Sequence, residues 1–297
     1  MLFANATIFH LSSNLPDNFE TLLGNQIFEP CSAFSQSSFG WTSPLPEGFE
    51  DLTRSFGQRV LFAAKIEDKV IPATAVKDLV SEKSSQFANL DGNRPSAKQR
   101  QQFKEAAFDE LLPRALSKHR QILAYIDPLA GLLVINSAVA ADVERFVNYL
   151  RMTLGSLEIT RIDGGLSVIQ LFTQWLKRGQ APQGFELADA CDLIDLETGA
   201  SVACRKISLR NSEILAHLDA GKVCAKIRLT WAQTLSFTID KDLVLRQIRY
   251  EAMSDEPAPE DQDLDPEIKA LAELDARFAL LSQEIAGLYP KLTQALT

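Results

Sequence analysis

The sequence predicts an α+β fold in which antiparallel sheets carry packed helices, and three observations lead there. Residues 222–231, 235–240 and 243–250 read as strands whose connections are too short for crossover helices, so they form an antiparallel meander. Val139, Val143, Phe146, Val147, Leu150 and Leu154 fall on one helical stripe, closed by Gly155 as a left-handed cap. Two further helical patterns, at 73–87 and 96–112, flank a turn rich in Gly, Asn and Pro. They read as a helical hairpin, polar over much of its surface and suited to projecting from a domain.

The other elements follow in order. Residues 3–11 read as a strand, and 16–23 as a short helix that begins near Asp17 and turns Phe19 and Leu22 or Leu23 inward. The stretch 31–50 reads as a long ordered loop, because Phe34, Phe39, Trp41 and Phe49 carry too much apolar surface to stay in water. Residues 60–66 and 69–71 flank Glu67 and Asp68 as two strands of a hairpin, and 122–126 and 132–136 form another through Pro128 and Gly131. Within the helical hairpin, 89–95 is the turn and Ser96 caps the second helix, which stops before Pro113. A strand at 158–162, a helix at 168–177, extended chain at 184–196, a strand at 200–209 and a helix at 211–220 capped by Asn211 complete the body.

Residues 254–266 form an acidic, Pro-containing linker without apolar periodicity. After it Leu271, Leu274, Phe278, Leu281, Ile285 and Leu288 recur at alternating spacings of three and four until Pro290. This stripe spans under three heptads, so it suits one helix docked on its own domain or a short intermolecular coiled coil. The expected organisation is a central α+β domain (1–72 and 113–160), the hairpin (73–112), an α+β base domain with the meander (161–250), and the linker with the C-terminal helix (251–297).

The chain has 297 residues, 46% of them hydrophobic, enough to bury a core without disulfide or metal. Its formal charge of -9 is concentrated at one end: residues 251–297 hold eleven acidic and three basic side chains, which leaves the rest nearly neutral. Inside the neutral part, 94–120 and 205–228 each carry a balance of +4, so an acidic total does not exclude nucleic acid. Cys31, Cys191, Cys204 and Cys224 include no C-x-x-C pair, which argues against structural zinc. No basic, then apolar, leader opens the chain and no apolar run reaches membrane length, the pattern of a cytoplasmic protein with reduced thiols.

Enzyme signatures are missing. His10, His119 and His217 lie in no ligand motif, and no phosphate-binding glycine loop or nucleophile elbow occurs. Asp189, Asp192 and Asp195 would cluster on a helix, but a solvated face or loop accounts for them equally well. The reading is a non-enzyme that needs no cofactor and no metal.

The strand 222–231 is more informative. A period of two separates Val223, Ala225, Ile227, Leu229 and Trp231, the core side, from Lys222, Cys224, Lys226, Arg228 and Thr230. Cations on alternate residues lie roughly 7 Å apart, close to the phosphate spacing of an extended strand, and could follow a backbone without reading bases. Arg205 and Lys206 on the preceding strand would widen the patch. Solvated lysines on an ordinary exposed face are the simpler account, yet such faces mix signs and this one holds no Asp or Glu. In the hairpin, Lys98, Arg100 and Lys104 are followed at once by acidic residues; Arg114 and Lys118 share a helical face if the helix resumes after Pro113.

At these residues the chain resembles the bacterial recombination-associated RdgC family. The likeness is carried, in order, by Met1-Leu2-Phe3, Phe28-Glu29-Pro30-Cys31, Gly40-Trp41, Lys69-Val70-Ile71-Pro72, Leu111-Leu112-Pro113-Arg114-Ala115, Gly155-Ser156-Leu157, Gly184-Phe185 and Ala220-Gly221-Lys222-Val223. The resemblance implies a ring-shaped α+β homodimer without catalysis. DNA, single- or double-stranded and of any sequence, would pass through its positively lined hole. It further implies a nucleoid-associated protein that restrains RecA-dependent recombination, with the helical hairpin forming one dimer contact as a gate. By position, Lys206 and Lys222 match basic residues of the DNA-facing surface, with Lys226, Arg228 and Arg205 beside them. Arg114 matches the arginine of the Leu-Leu-Pro-Arg segment, and Lys118, Lys98 and Arg100 would add contacts at the hairpin end. Leu116, with Leu112 near it, falls at the gate, where relatives carry an aromatic. A reading of a different class is a protein-interaction module that acts through the acidic linker and C-terminal helix.

Overall fold

A computed structural model describes residues 2–161, 166–250 and 265–296. Its strands are β1 (Asn5–Leu11), β2 (Ser37–Thr42), β3 (Thr53–Phe56), β4 (Arg59–Val70), β5 (Leu116–Asp127), β6 (Leu132–Ile135), β7 (Ile159–Thr160), β8 (Phe185–Ile194), β9 (Ser201–Arg205), β10 (Val223–Trp231), β11 (Leu235–Asp240) and β12 (Leu245–Tyr250). The helices are α1 (Phe19–Gly24), α2 (Ala73–Asp91), α3 (Ala97–Leu111), α4 (Ala140–Leu154), α5 (Leu166–Arg178), α6 (Ser212–Asp219) and α7 (Pro266–Leu296). The mixture of helices and antiparallel strands is the α+β class that the sequence predicts. Two compact units are present, one of residues 1–22, 43–62 and 123–297, the other of 23–42 and 63–122.

The first unit is built on a sheet in the order β5-β6-β1-β12-β11-β10-β8-β9, antiparallel at each step. One face is apolar: Ile227 and Leu229 of β10, Phe237 and Ile239 of β11 and Leu193 of β8 join Phe172 and Leu176 of α5 and Ile214 and Leu218 of α6 in one buried cluster. Helix α5 lies on β10, and the Thr173 hydroxyl accepts a hydrogen bond from the Cys224 backbone N–H at 2.9 Å. Residues 251–264, which hold most of the acidic linker, lie outside the described residues.

Helix α7 docks on this unit, so its apolar stripe is not available for a coiled coil. Phe278, Leu281, Ile285, Leu288 and Leu292 are buried in the same cluster, and the Phe278 ring meets Tyr125 at 5.5 Å. Arg54 grips Asp275 with Nε at 2.8 Å from Oδ1 and its second nitrogen on Oδ2, and Arg59 donates to the Ser282 hydroxyl at 3.2 Å. Contrary to the sequence expectation, the helix does not stop at Pro290 but runs to Leu296. A proline inside a helix costs about 3 kcal/mol. Burying Ile285, Leu288, Tyr289 and Leu292 on either side of it contributes about 1.5–3 kcal/mol each, which outweighs that cost.

In the second unit β2 pairs with β4 from Ser37↔Asp68 to Thr42↔Ala63. Residues 31–50 are therefore not one loop, and the hairpin expected around Glu67 and Asp68 is instead one continuous strand. The turn lies earlier, at Gly57 between β3 and β4, in the first unit. Glu67 is buried within its strand because its carboxylate has partners: the Cys31 backbone N–H at 2.8 Å and the Ser117 hydroxyl at 2.5 Å. These donors, the hydroxyl first, hold the Glu67 carboxyl below the usual carboxylate range. Trp41 is fully buried, and Gly40 beside it is required, since a Cβ there would lie 2.3 Å from the Phe28 Cα. Phe34, expected inward, is 80% exposed.

Helices α2 and α3 pack antiparallel, with Phe87 against Phe103 at 5.9 Å and Lys83 paired to Glu110 at 2.9 Å. Gly92, at φ 72°, ends α2 by donating its N–H to the Ala88 carbonyl. Ser96 and Gln99 form a reciprocal capping box at the start of α3. After Leu111 a single 3-10 turn, Leu112–Arg114, ends the helix, and β5 begins at Leu116. Pro113 fits the start of that turn, where no N–H is needed, but the chain beyond it is extended. Arg114 and Lys118 consequently do not share a helical face.

Asp127, 1% exposed, accepts from Arg59 Nε at 2.7 Å and from the backbone N–H groups of Leu129 and Ala130. Asp127→Ala strands the guanidinium and two amides, and Arg59→Met strands the buried carboxylate; each should lower the free energy of urea unfolding, by up to about 3–5 kcal/mol. Because the Glu67 pKa is lowered by folding, its contribution is full above the unfolded pKa and lost as pH falls through the folded one. The stability gap between wild type and Glu67→Gln, measured by urea unfolding, should therefore hold from neutrality down to the ordinary carboxylate range and close as pH falls below it.

Candidate nucleic-acid interface

The sheet face opposite the helices, on the first unit, carries the cations. Arg205, Lys206, Lys226, Arg228, Arg246 and Arg249 line one open cleft of about 560 Å³, together with Asn5, Thr238, Asp189 and Asp192. Arg228 stands opposite Thr238, Thr238 opposite Arg246, and Arg246 opposite Asn5, so one row crosses four strands. From β9 to β12 the cations span five strands, roughly 19 Å at about 4.8 Å per strand. The positive track thus runs across the strands, where the sequence suggested a track along one of them.

Three register shifts shape this face; one, between Ile227 and Leu229, lies opposite Asp189 in β8, and the other two set the cations. In β10 the register shifts between Cys224 and Lys226, so Cys224 joins Ile227 and Leu229 in the core instead of facing out with the lysines. Lys222, expected on the same face as Lys226, lies before the strand. Its amide bonds to the His217 carbonyl, and its charge acts on Asp195 in the β8–β9 turn. In β12, Gln247 takes a left-handed φ of 52° and the register shifts once more, so Arg246 and Arg249 share the cleft although they are three residues apart. The alternation rule overlooked both arginines. The signal was available in Leu245-Arg246-Gln247-Ile248-Arg249, where apolar residues three apart mark an extra residue in the strand.

The face is not of one sign, which corrects the sequence reading. Strand β8, between β9 and β10, brings two carboxylates into it. Asp192 lies between Arg205, 2.6 Å from Oδ1, and Lys226, 3.2 Å from Oδ2, and Asp189 lies 3.6 Å from Arg228 Nε. The Arg205 contact is a charge contact without hydrogen-bond alignment, for Asp192 Oδ1 has no aligned donor. Arg205 also donates to the Cys191 and Cys204 carbonyls, and Arg228 to the Ser236 hydroxyl at 3.0 Å. Arg246 is paired at 2.8 Å with the buried Asp240, which holds the β11–β12 turn through the Asp242 and Val244 amides. Lys206, exposed, sits at φ 55° just beyond β9.

The three aspartates do not converge as a helical cluster would. Asp189 and Asp192 engage cations, while Asp195 accepts from the Thr198 and Glu197 backbone N–H groups in the turn. Those two bonds, with Lys222 as a lesser cause, hold its carboxyl below the usual range. Among the described residues no three His, Cys, Asp or Glu side chains gather as a metal set, and no helix is long and apolar enough to cross a membrane. In the second unit Lys98, Arg100, Arg114 and Lys118 are exposed. Leu116 there is 81% exposed, whereas Leu112 is buried in its own unit.

Comparison with known proteins places the chain in a lineage. The family model described as "Putative exonuclease, RdgC" matches residues 1–297. The recombination-associated protein RdgC of Tolumonas auensis is 34% identical over 281 residues, covering 94% of this chain and 92% of that protein. The proteins of the same name from Pseudomonas putida (strain GB-1) and Proteus mirabilis (strain HI4320) are each 31% identical, over 100% and 99% of this chain and 97% of their own length. With a family model matched from end to end and relatives above 30% identity at full coverage, the chain belongs to the RdgC family.

Proposed function

We propose that this protein binds DNA through the backbone phosphates, without sequence preference, and acts in homologous recombination. The observation that carries the reading is the band of six basic side chains across the sheet. Arginines and lysines drawn from three strands of one sheet, β9, β10 and β12, suit phosphates, which position a nucleic acid but carry no sequence. The names of the relatives, which are recombination-associated proteins, agree with this chemistry. In the fuller form of the proposal two copies close a ring around single- or double-stranded DNA and restrain RecA by occupying its substrate, within the nucleoid. Leu116, large, apolar and 81% exposed, is the proposed gate contact between copies.

The family description names an exonuclease, but the carboxylates of this face serve its own cations, and non-catalytic binding fits them better. An interaction module acting through the C-terminal helix is disfavoured because the apolar stripe of α7 is buried in its own unit.

Fluorescence anisotropy with unrelated oligonucleotides should give equal affinities and a linear fall of log K with log salt. Combined Lys226→Ala, Arg228→Ala and Arg249→Ala should make that slope shallower by about 0.9 per lost duplex phosphate contact, or about 0.7 for a single strand; an unchanged slope would move the contact elsewhere. Light scattering after gel filtration should report a dimer for the wild type and a monomer for Leu116→Asp. Because Leu116 is exposed in the single chain, the variant should still be folded and unfold cooperatively, with a midpoint that no longer depends on protein concentration.

A further inference from the structure

We infer that Asp189 and Asp192 are tethered competitors for phosphate, which lower the affinity of the basic face and reserve it for polymeric backbones. The inference rests on the reading of that face as a DNA-binding surface. Three of its six cations, Arg205, Lys226 and Arg228, face carboxylates of β8 at 2.6, 3.2 and 3.6 Å. A carboxylate oxygen offers the charge and acceptor geometry of a phosphate oxygen, so a phosphate reaching these cations must displace an anion already there. The Arg205 contact is close but unaligned, and Asp189 stands beyond hydrogen-bond distance of Arg228, so both contacts are open to exchange for a better-placed oxygen.

Selectivity follows from tethering. The sheet fixes both carboxylates beside their cations, so they compete at an effective concentration of at least about the millimolar range without loss of translational freedom. A single phosphate ion must meet that competition alone. A nucleic-acid backbone meets it with many linked phosphates, and Lys206 and Arg249, which form none of these pairs, can hold the strand while neighbouring phosphates exchange with the carboxylates. The carboxylates thereby act as specificity-determining residues for chain length.

The test compares full-length wild type, Asp189→Asn with Asp192→Asn, and a control, Glu197→Gln with Glu213→Gln, which changes net charge equally on exposed residues outside these pairs. Anisotropy with a labelled mixed-sequence oligonucleotide should show the Asn variant binding about three- to thirty-fold tighter, the worth of a few exposed ion pairs, and the control close to wild type. The gain should fall to the control level in an Arg205→Ala, Lys226→Ala, Arg228→Ala background, which removes all three paired cations. Inorganic phosphate, at matched ionic strength, should raise the melting temperature of the Asn variant and not that of wild type. Equal gains in the Asn variant and the control, or no gain, would overturn the inference. The DNA reading survives either result if Lys226→Ala with Arg228→Ala still weakens binding, and falls if that pair changes nothing. Should the double variant fail to fold, Asp189→Asn alone, on an exposed side chain, is compared with Glu197→Gln alone, which changes the charge equally.

Discussion

The register of the sheet from β9 to β12 fixes both the interior and the surface of the first unit. Each strand turns apolar residues toward α5, α6 and α7 and polar ones away from them, and a shift by one residue would exchange the two sets. Core packing therefore holds the outer cations in place. Ile227 and Leu229 cannot leave the cluster with Phe172 and Phe237 without a large loss of buried area, and their burial fixes Lys226 and Arg228 outward. The bulges in β10 and β12 belong to the same constraint. They let Cys224 and Ile248 stay buried and, in β12, bring a second arginine onto the outer face.

Helix α7 serves that arrangement from the other side. By covering the apolar face of the sheet it supplies the burial that keeps the strands rigid, and a rigid sheet holds its cations at fixed spacing. Its polar anchors, Arg54 to Asp275 and Arg59 to Ser282, set the position along the sheet at which the apolar stripe engages. The Arg59 to Asp127 pair then ties the same arginine to the end of β5. Buried charge of this kind adds little net stability over an apolar equivalent, and its value lies in fixing one arrangement over others.

The mixture of signs on the outer face bears on how such a surface works. A uniformly positive sheet would hold any anion, whereas carboxylates set among the cations make binding an exchange reaction. In this view β8 is part of the interface although it contributes no cation to the cleft, and its position between β9 and β10 lets Asp192 reach both Arg205 and Lys226.

Much of this was legible in the residue order. Helical stripes gave α4, α5 and α7, the Ser96 and Asn211 caps and the Gly92 turn were readable as local chemistry, and the short connections of the meander allowed only antiparallel pairing. The same rules failed where a distant partner decided. Glu67 looked like a turn residue until Ser117 and Cys31 supplied donors that let it stay in a strand, and Pro290 looked like a stop until the burial around it outweighed a lost hydrogen bond. Period-two alternation turned Lys226 and Arg228 outward, as the structure has them, but set Lys222 beside them, because the bulge in β10 adds a residue and Lys222 precedes the strand. By itself the sequence determined the class of fold, its caps and turns, and that cations would crowd the 205–228 segment, since these depend on neighbours in the chain. Only the tertiary structure decided that β8 lies between β9 and β10 and that β12 adds two arginines, because strand order and register are set by the packing of the whole sheet.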